Sequence, residues 1–270
     1  MEKTGQIKST PQRSHLTRKI ILTALFIGLA VAVRSFSTMI YFLGAPGMRI
    51  SLSPVFSRMP AILFGPLYGG IAGGITDILG YFIKMEGAFI PLLTVTAILG
   101  GVLTGFLWNL FKNADTTNLQ KWLRIIFIII GAVGLFNYLI EKFLPNGAVA
   151  GLIEKAGKYK DFLTLGLIAV SIIGIMLLVL DYAVKKKFPQ AAINKYYLKI
   201  LLPFGLSGLI VTILNTYILR IYIPQLGKIA FVLLLIPRVV EEILVMVVHS
   251  YLSSFLLAIY DRYNKNESHQ

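Results

Sequence analysis

The sequence predicts an all-α membrane protein, a polytopic helical bundle that crosses the bilayer about eight times. Of its 270 residues, 56% are hydrophobic and only 14% are charged, which excludes an ordinary soluble domain. Several apolar runs reach the roughly 20 residues that a helix needs to cross the hydrocarbon core. The sequence lacks the series of alternating segments, each of about ten residues, that indicates a membrane β-barrel.

The charged residues also fit a membrane protein. The net charge is +14, which in a soluble chain would suggest a nucleic-acid partner. Here the basic residues lie mostly in short loops and tails, which is the usual bias of membrane proteins. The chain has no cysteine, so disulfides and thiolate metal sites are excluded. We therefore expect no metal site, no cofactor and no nucleic-acid partner, with membrane lipid as the surroundings.

The first span is predicted at residues 20–43, after a basic tail at residues 1–19. This apolar run is too long for the hydrophobic region of a signal peptide. Ala24, Gly28 and Ala32 follow one another at intervals of four residues, so they lie on one helix face. Small residues at this spacing allow another helix to approach closely.

Three shorter or glycine-rich spans are predicted to follow. A short span at residues 54–65 ends at a Gly-Pro break. The third span, at residues 67–82, contains two Gly-Gly pairs, which form a second face for close helix packing. The fourth span is predicted at residues 88–111.

The second half of the chain predicts four more spans. Those at residues 122–143 and 162–184 are rich in Ile, Leu and Val, and the last two lie at residues 198–221 and 229–260. The inner segments of this arrangement contain 15 Lys and Arg residues and the outer segments 8, which predicts a cell-membrane protein with both termini in the cytoplasm. The predicted organisation is a tail at 1–19, core spans at 20–111, an inserted two-span hairpin at 112–197, two further core spans at 198–260 and a tail at 261–270.

Charged residues within the predicted spans are candidates for function. A guanidinium at membrane depth costs several kcal/mol unless it is paired, hydrated or able to reach the interface. Arg238 could pair with an acid three or four residues along its own helix, whereas Arg34 has no acid nearby in sequence. An arginine without an internal partner would need an anionic ligand, and a carboxylate suits its two-pronged geometry. The residues concerned are Arg34, Arg58, Asp77, Arg238, Glu241 and Glu242.

Two other interpretations were weighed. Glu242 and His249 share a helix face, and this arrangement is similar to the glutamates and histidines that membrane proteases use. Two ligands from one helix, however, make a weak metal site. Met246 also stands where that pattern has an arginine, so we expect no enzyme. No phosphate-binding loop occurs in the sequence, so ATP is not hydrolysed by that route. A stand-alone secondary or facilitative transporter of a small anionic metabolite stays open, although no inverted repeat is visible.

Residues 47–108 carry a family resemblance. The small-residue face of the first span is followed by Arg49-Ile50-Ser51, then by FGPLYGGIAGGITDILG at 64–80 and GAFIPLLTVTAILGG at 87–101. The motifs Leu214-Asn215-Thr216-Tyr217 and Pro237-Arg238 add to it. Together they resemble the substrate-binding S components of energy-coupling-factor (ECF) vitamin transporters, especially the folate-type branch. The resemblance covers residues 20–111 and 198–260.

The resemblance implies a function. An S component with six core spans binds a vitamin, here folate, and delivers it to a transmembrane coupling subunit that carries two ATPase subunits. The face of Ala24, Gly28 and Ala32 would dock on the coupling subunit, and Asp77 would be structural. The residues that would contact the substrate are Arg34, Arg49, Ser51, Phe89, Thr94, Asn215, Tyr217 and Arg238.

The chain departs from the family in two places. The two spans within residues 112–197 have no counterpart in the resemblance, so they are expected to be an addition. The run Pro91-Leu92-Leu93-Thr94 lacks the Gly-Phe pair that folate-type members have after the proline. Another small vitamin or vitamin precursor therefore stays open as the ligand.

Overall fold

The computed structural model describes residues 11–42, 45–144, 147, 149–151, 162–187 and 193–267, and these residues are mostly helical. Strands β1 (Thr38–Phe42) and β2 (Ala45–Ile50) form an antiparallel hairpin, and a π-helical turn, Phe162–Gly166, leads into α7. The helices are α1 (Pro11–Arg34), α2 (Ser53–Ser57), α3 (Met59–Phe64), α4 (Pro66–Ile83), α5 (Pro91–Phe111), α6 (Thr116–Phe143), α7 (Leu167–Lys187), α8 (Ile193–Tyr222), α9 (Pro224–Gly227) and α10 (Phe231–Glu267).

The prediction of a helical multi-pass membrane protein is confirmed. Among the described residues, six helices are long and apolar enough to cross a membrane. The other two predicted spans are shorter: residues 54–65 form α2 and α3, and residues 67–82 lie in α4. The six long spans are Leu16–Arg34, Pro91–Phe111, Thr116–Phe143, Thr164–Lys187, Asn194–Tyr222 and Pro237–Asn264.

The predicted end of the first span is wrong. Helix α1 ends at Arg34, and a turn closed by hydrogen bonds from Ser35 N to Ala32 O and from Ser37 N to Arg34 O leads into β1. The sequence of β1, Thr-Met-Ile-Tyr-Phe, is apolar but rich in β-branched and aromatic residues, which suit a strand. Arg34 is therefore the last residue of the helix rather than a residue inside a longer span.

The break predicted between the second and third spans is present. Gly65 has a φ of 100°, a backbone conformation that residues with a side chain rarely adopt. Pro66 then begins α4. Proline lacks a backbone N–H, but no hydrogen bond is lost here because the first N–H groups of a helix have no acceptor within the helix. The chain thus reverses between α3 and α4 without a longer loop.

Helices α4 and α5 touch through their backbones, as the two Gly-Gly pairs predicted. A Cβ atom placed on Gly69 would lie 2.5 Å from the carbonyl oxygen of Gly101. One placed on Gly105 would lie 2.7 Å from Cα of Pro66. Since neither position has room for a side chain, glycine is required for this close approach.

The contacts divide the chain into two compact units. The first contains the described residues up to Asn113 and those from Lys199 onward, and the second those between Ala114 and Leu198. In the first unit, an apolar cluster joins the segment before α5 to α8, α9 and α10. Its buried members are Ile90, Ile218, Leu219, Leu226 and Leu234.

In the second unit, α6 and α7 pack side by side in antiparallel directions. Gly131 of α6 faces Ser171 of α7, whose hydroxyl donates to the carbonyl oxygen of Phe127 at 2.7 Å. Near the other end of α7, Asp181 is paired with Lys185 at 2.8 Å and accepts a hydrogen bond from Gln120. Many large apolar side chains of α6 are exposed, as expected for a helix that faces lipid.

Candidate functional site

A cavity of about 660 Å³ lies within the first unit, between the hairpin and helices α1, α2, α4, α5, α8, α9 and α10. Its volume is in the range that accommodates a small organic ligand. Most of the predicted site residues are brought together here, although they come from distant parts of the sequence. Those that line the cavity are Arg34, Arg49, Ser51, Phe89, Asn215 and Arg238.

Arg34 is paired with an acid, contrary to the expectation that it lacks one. Its Nη1 atom lies 3.0 Å from Oδ1 of Asp77 and donates to the carbonyl oxygen of Thr76 at 3.4 Å. The second carboxylate oxygen of Asp77 accepts a hydrogen bond of 2.8 Å from Thr94. Gly80 leaves room for Arg34, because a Cβ atom there would lie 2.5 Å from Nε of the arginine. Asp77 thus connects α1, α4 and α5.

Thr94 and Tyr217 do not line the cavity in the way the sequence predicts. Thr94 is buried and reaches the cavity only indirectly, since its hydroxyl donates to Asp77. The side chain of Tyr217 is 59% exposed, whereas its neighbours Thr216 and Ile218 are buried. Because successive helical residues point about 100° apart, Tyr217 faces away from the interior of the first unit.

Arg49 connects the hairpin to the loop between α4 and α5. Its Nη2 atom lies 2.9 Å from Oε2 of Glu86, and the other oxygen of Glu86 lies 3.4 Å from Nζ of Lys84. Lys84 also donates to the carbonyl oxygen of Ser37. Burial and the cation of Arg34 lower the pKa of Arg49, and Glu86 opposes this shift. Two segments that line the cavity are therefore joined by an ion pair.

Arg58 lies at the junction of α2 and α3 and lines the cavity. It donates from Nη1 to the carbonyl oxygen of Phe204 at 3.2 Å, and its guanidinium lies 5.2 Å from the centre of the Phe204 ring. The closest carboxylate oxygen is Oε1 of Glu242, which is 4.0 Å from Nη2. Glu242 in turn accepts from the hydroxyl of Thr212 at 3.3 Å.

Arg238 also lines the cavity, from the third turn of α10. Pairing with Glu241 or Glu242 on the same helix was the alternative left open by the sequence. Within the described part of the chain, no carboxylate oxygen lies within 4.0 Å of its guanidinium, although Glu241 is near enough to interact electrostatically. Glu242 lies against Arg58 instead. Among the residues that the structure describes, Arg238 is thus a cavity cation without a direct acidic partner.

The remaining predicted residues supply polar and aromatic surface. Oδ1 of Asn215 accepts from the hydroxyl of Thr96 at 2.5 Å. The ring of Phe89 lies 5.0 Å from that of Tyr81, which also lines the cavity. The carbonyl oxygen of Ser51 accepts from Nε2 of the buried His249 at 2.8 Å. This contact holds the end of the hairpin against α10 and occupies the histidine that the enzyme interpretation required.

Several cavity residues were not predicted as site residues. Arg58 was one of the charged candidates within the predicted spans, but the resemblance did not assign it to the substrate. Glu86 lies between the predicted third and fourth spans, outside the residues that the resemblance assigns to the substrate. Tyr222 at the end of α8 and Gln225 in α9 also line the cavity, and neither belongs to the motifs of the resemblance. In the described residues, no group of three or more potential His, Asp or Glu ligands for a metal ion occurs.

A multi-pass helical bundle that holds a cavity of this size, with four arginines in its lining, defines a membrane protein that binds a small solute. A family model for the S component of ECF-type riboflavin transporters matches residues 14–177, which is more than half of the chain. The chain therefore belongs to the S components of ECF-type transporters, which are transport proteins and not enzymes.

A curated relative gives a second point of comparison. The folate transporter FolT of Clostridium novyi (strain NT) is 29% identical over 92 residues, which cover 34% of this chain and 54% of that protein. The chain thus spans about half the length of this curated relative. No solved structure matched the chain.

The family match differs in extent from the resemblance seen in the sequence. It continues through residues 112–177, where we expected no counterpart in the family, and it does not include residues 198–260. The family match therefore contradicts the expectation that residues 112–177 have no counterpart in the family. That residues 112–197 are an addition to the core stays a prediction.

Proposed function

We propose that this chain is the membrane-embedded S subunit of an ECF-type vitamin uptake transporter and that its cavity binds folate. In this proposal, the subunit binds the vitamin from outside the cell. It then delivers the vitamin to a transmembrane coupling subunit that two ATPase subunits drive. Family membership supports the role of an S subunit, and the similarity to FolT of Clostridium novyi supports folate as the ligand.

The observation that carries the choice of an anionic vitamin is the unpaired Arg238 at the cavity. Four arginines and two carboxylates line the cavity, so its lining has two more positive than negative charges. Folate carries two carboxylates on its glutamate tail, whereas riboflavin, for which the matching family model is described, is uncharged at neutral pH. Glu241 and Glu242 offset part of the charge of Arg238 and Arg58 but do not themselves line the cavity. The side chains that face a ligand therefore favour an anion, and folate over riboflavin.

The experiment that tests this function is mass spectrometry of small molecules that co-purify with the protein in detergent. We expect a folate to be recovered in a near-stoichiometric amount. Recovery of a flavin instead would contradict the choice of folate but not the role of an S subunit. Uptake of the vitamin into vesicles that contain this chain and no ATPase would contradict the role of an S subunit and favour a stand-alone transporter.

Replacing Arg238 with alanine is expected to weaken folate binding. Loss of a hydrogen bond to a charged group costs about 1.5–3 kcal/mol, which corresponds to a rise in Kd of roughly tenfold to a hundredfold. Titration calorimetry of the purified protein measures the change. Arg262→Ala is a matched control because Arg262 is an exposed arginine of the same helix. Equal folate affinity of the two variants would show that Arg238 does not hold the ligand.

We also propose that both termini lie in the cytoplasm, on the basis of the excess of Lys and Arg in the predicted inner segments. The chain has no cysteine, so a single cysteine added at either terminus is the only thiol available for labelling. In intact cells, a membrane-impermeant maleimide is expected to leave both sites unlabelled until the membrane is opened. Labelling of either terminus in intact cells would contradict this topology.

The face formed by Ala24, Gly28 and Ala32 is proposed as the docking surface for the coupling subunit. All three residues are exposed on α1. Apart from the backbone of its own helix, no atom of the described residues would lie within 4 Å of a Cβ atom on Gly28. A small-residue face that no described helix covers at this position is suited to a helix of another subunit.

A further inference from the structure

We propose that Arg58 is a second anion-binding residue of the cavity and that, together with Arg238, it binds a ligand with two anionic groups. This inference rests on the proposed function and names the part of folate that the two arginines hold, the dicarboxylate of its glutamate tail. Neither the sequence motifs nor the comparisons with known proteins point to Arg58. Its position in the structure does.

The four arginines of the cavity differ in how completely their charge is satisfied. Arg34 and Arg49 each have a carboxylate oxygen at hydrogen-bonding distance, 3.0 Å in Asp77 and 2.9 Å in Glu86. Those two cations are therefore neutralised by the protein and hold the elements around the cavity together. Arg238 has no carboxylate oxygen within 4.0 Å among the described residues.

Arg58 resembles Arg238 more than it resembles the two paired arginines. Charge-assisted hydrogen bonds between nitrogen and oxygen are about 2.7–2.9 Å long, so the 4.0 Å separation from Glu242 is too long for one. Among the described residues, the guanidinium of Arg58 donates one hydrogen bond, to the carbonyl oxygen of Phe204. A guanidinium has five N–H donors, so several donors of Arg58 remain for a ligand in the cavity that it lines.

Glu242 is held back from a closer approach to Arg58. Its carboxylate accepts from Thr212 and lies against Gly208, where a Cβ atom would come within 2.7 Å of Cδ of the glutamate. Glu242 thus lowers the electrostatic cost of burying Arg58 while leaving its donors open. A ligand carboxylate that binds Arg58 would have to act against the repulsion of this nearby negative charge.

The placement of the two arginines suits a ligand with two anionic groups. Arg238 and Glu242 are four residues apart on α10, so they share a helix face. Arg58 lies beside Glu242, and both arginines line the same cavity. A ligand with two carboxylates, such as a glutamate tail, offers an anion to each arginine. A vitamin with a single carboxylate would leave one arginine without an anion, and a neutral vitamin would leave both.

The test compares folate with pteroate, which keeps the ring system of folate but lacks the glutamate tail. Wild-type protein in detergent is expected to bind folate more tightly than pteroate. Arg58→Met should weaken folate binding about tenfold to a hundredfold and leave pteroate binding unchanged. Arg262→Ala is the matched control, and the thermal unfolding midpoint of each variant reports whether it folds. If Arg58→Met does not fold, Arg58→Lys, which keeps the charge, is expected to lower the preference for folate partially.

A second variant separates ligand binding from a purely structural ion pair. Glu242→Gln keeps the shape and the acceptor for Thr212 but removes the charge that competes for Arg58. We expect it to bind folate more tightly than wild type and to bind pteroate equally well. An unchanged or weakened folate affinity in Glu242→Gln would overturn the proposal, as would an unchanged preference for folate in the Arg58 variants.

Failure of this inference can be distinguished from failure of the proposed function. If the wild-type protein binds folate but the Arg58 and Glu242 variants behave like it, only the inference fails. If the wild-type protein does not bind folate, the proposed vitamin is wrong, and the molecule recovered by mass spectrometry decides the inference. A recovered ligand with two anionic groups would support it, and a neutral or singly charged ligand would overturn it.

Discussion

Replacing Asp77 with alanine is expected to reduce the free energy of unfolding by about 3–5 kcal/mol, because it leaves a buried cation without its partner. The side chain of Arg34 is only 14% exposed, and the carboxylate of Asp77 lies 3.0 Å from it. The substitution also removes the acceptor of the Thr94 hydroxyl. Thermal unfolding of the detergent-purified protein, followed by intrinsic fluorescence, should show a Tm lower by on the order of 10 °C.

Two further variants identify the cause of this loss. Asp115→Asn removes one negative charge from an exposed residue but keeps an acceptor for the N–H of Thr117, so it should leave the Tm unchanged. Adding Arg34→Met to Asp77→Ala should recover most of the lost stability, because removing both partners of a buried pair is far less costly than removing one. If the Tm of Asp77→Ala equals that of Asp115→Asn, the structural role of Asp77 is contradicted.

The sequence was sufficient to predict where helices approach one another, because that depends on local spacing. The Gly-Gly pairs of α4 and the glycines of α5 meet in backbone contact, and the Gly65-Pro66 break is present. Small residues at intervals of four produce a smooth helix face whatever the partner is. These features could therefore be read without knowing the tertiary structure.

The charge pairs could not be predicted in the same way. The local rule that residues three or four apart on a helix interact favoured Arg238 with Glu241 or Glu242. In the structure, Glu242 lies against Arg58, and Arg34 pairs with Asp77, residues that are distant in sequence. Which of several acids reaches a given arginine depends on how the helices pack, and hydropathy carries no information about that. This is why Arg58 was missed as a cavity residue.

The end of the first span illustrates a different limit. Hydropathy measures how apolar a segment is, and the residues of β1 are nearly as apolar as those of α1. Only the change from residues typical of helices to β-branched and aromatic residues marks the boundary. With the hairpin in place, Arg49 and Ser51 line the cavity rather than lying in a loop beyond it. The sequence thus named Arg49 and Ser51 as candidates without predicting the hairpin that brings them to the cavity.

Replacing Gly28 with leucine is expected to abolish vitamin uptake by the assembled transporter while leaving ligand binding by the isolated subunit intact. The position is exposed, and apart from its own helix backbone a Cβ atom there meets no atom of the described residues within 4 Å, so the substitution should not disturb the cavity or the fold. If the face of Ala24, Gly28 and Ala32 docks on the coupling subunit, a leucine keeps the two helix backbones apart and removes the close contact on which such pairing depends. Uptake of labelled vitamin by cells and co-purification of the partner subunits measure the loss, and titration of the isolated subunit with the vitamin measures the ligand binding that is retained.

The controls for this prediction vary side-chain size and position separately. Gly28→Ala keeps a small residue on the face and should retain uptake, whereas Ala132→Leu places the same bulk on an exposed position of α6 and should also retain it. If Gly28→Leu weakens ligand binding as much as it weakens uptake, the face is not separate from the binding site. If it leaves both unchanged, the coupling subunit binds elsewhere on the chain. Only loss of uptake and co-purification with full ligand binding fits a docking surface whose role is distinct from that of the cavity.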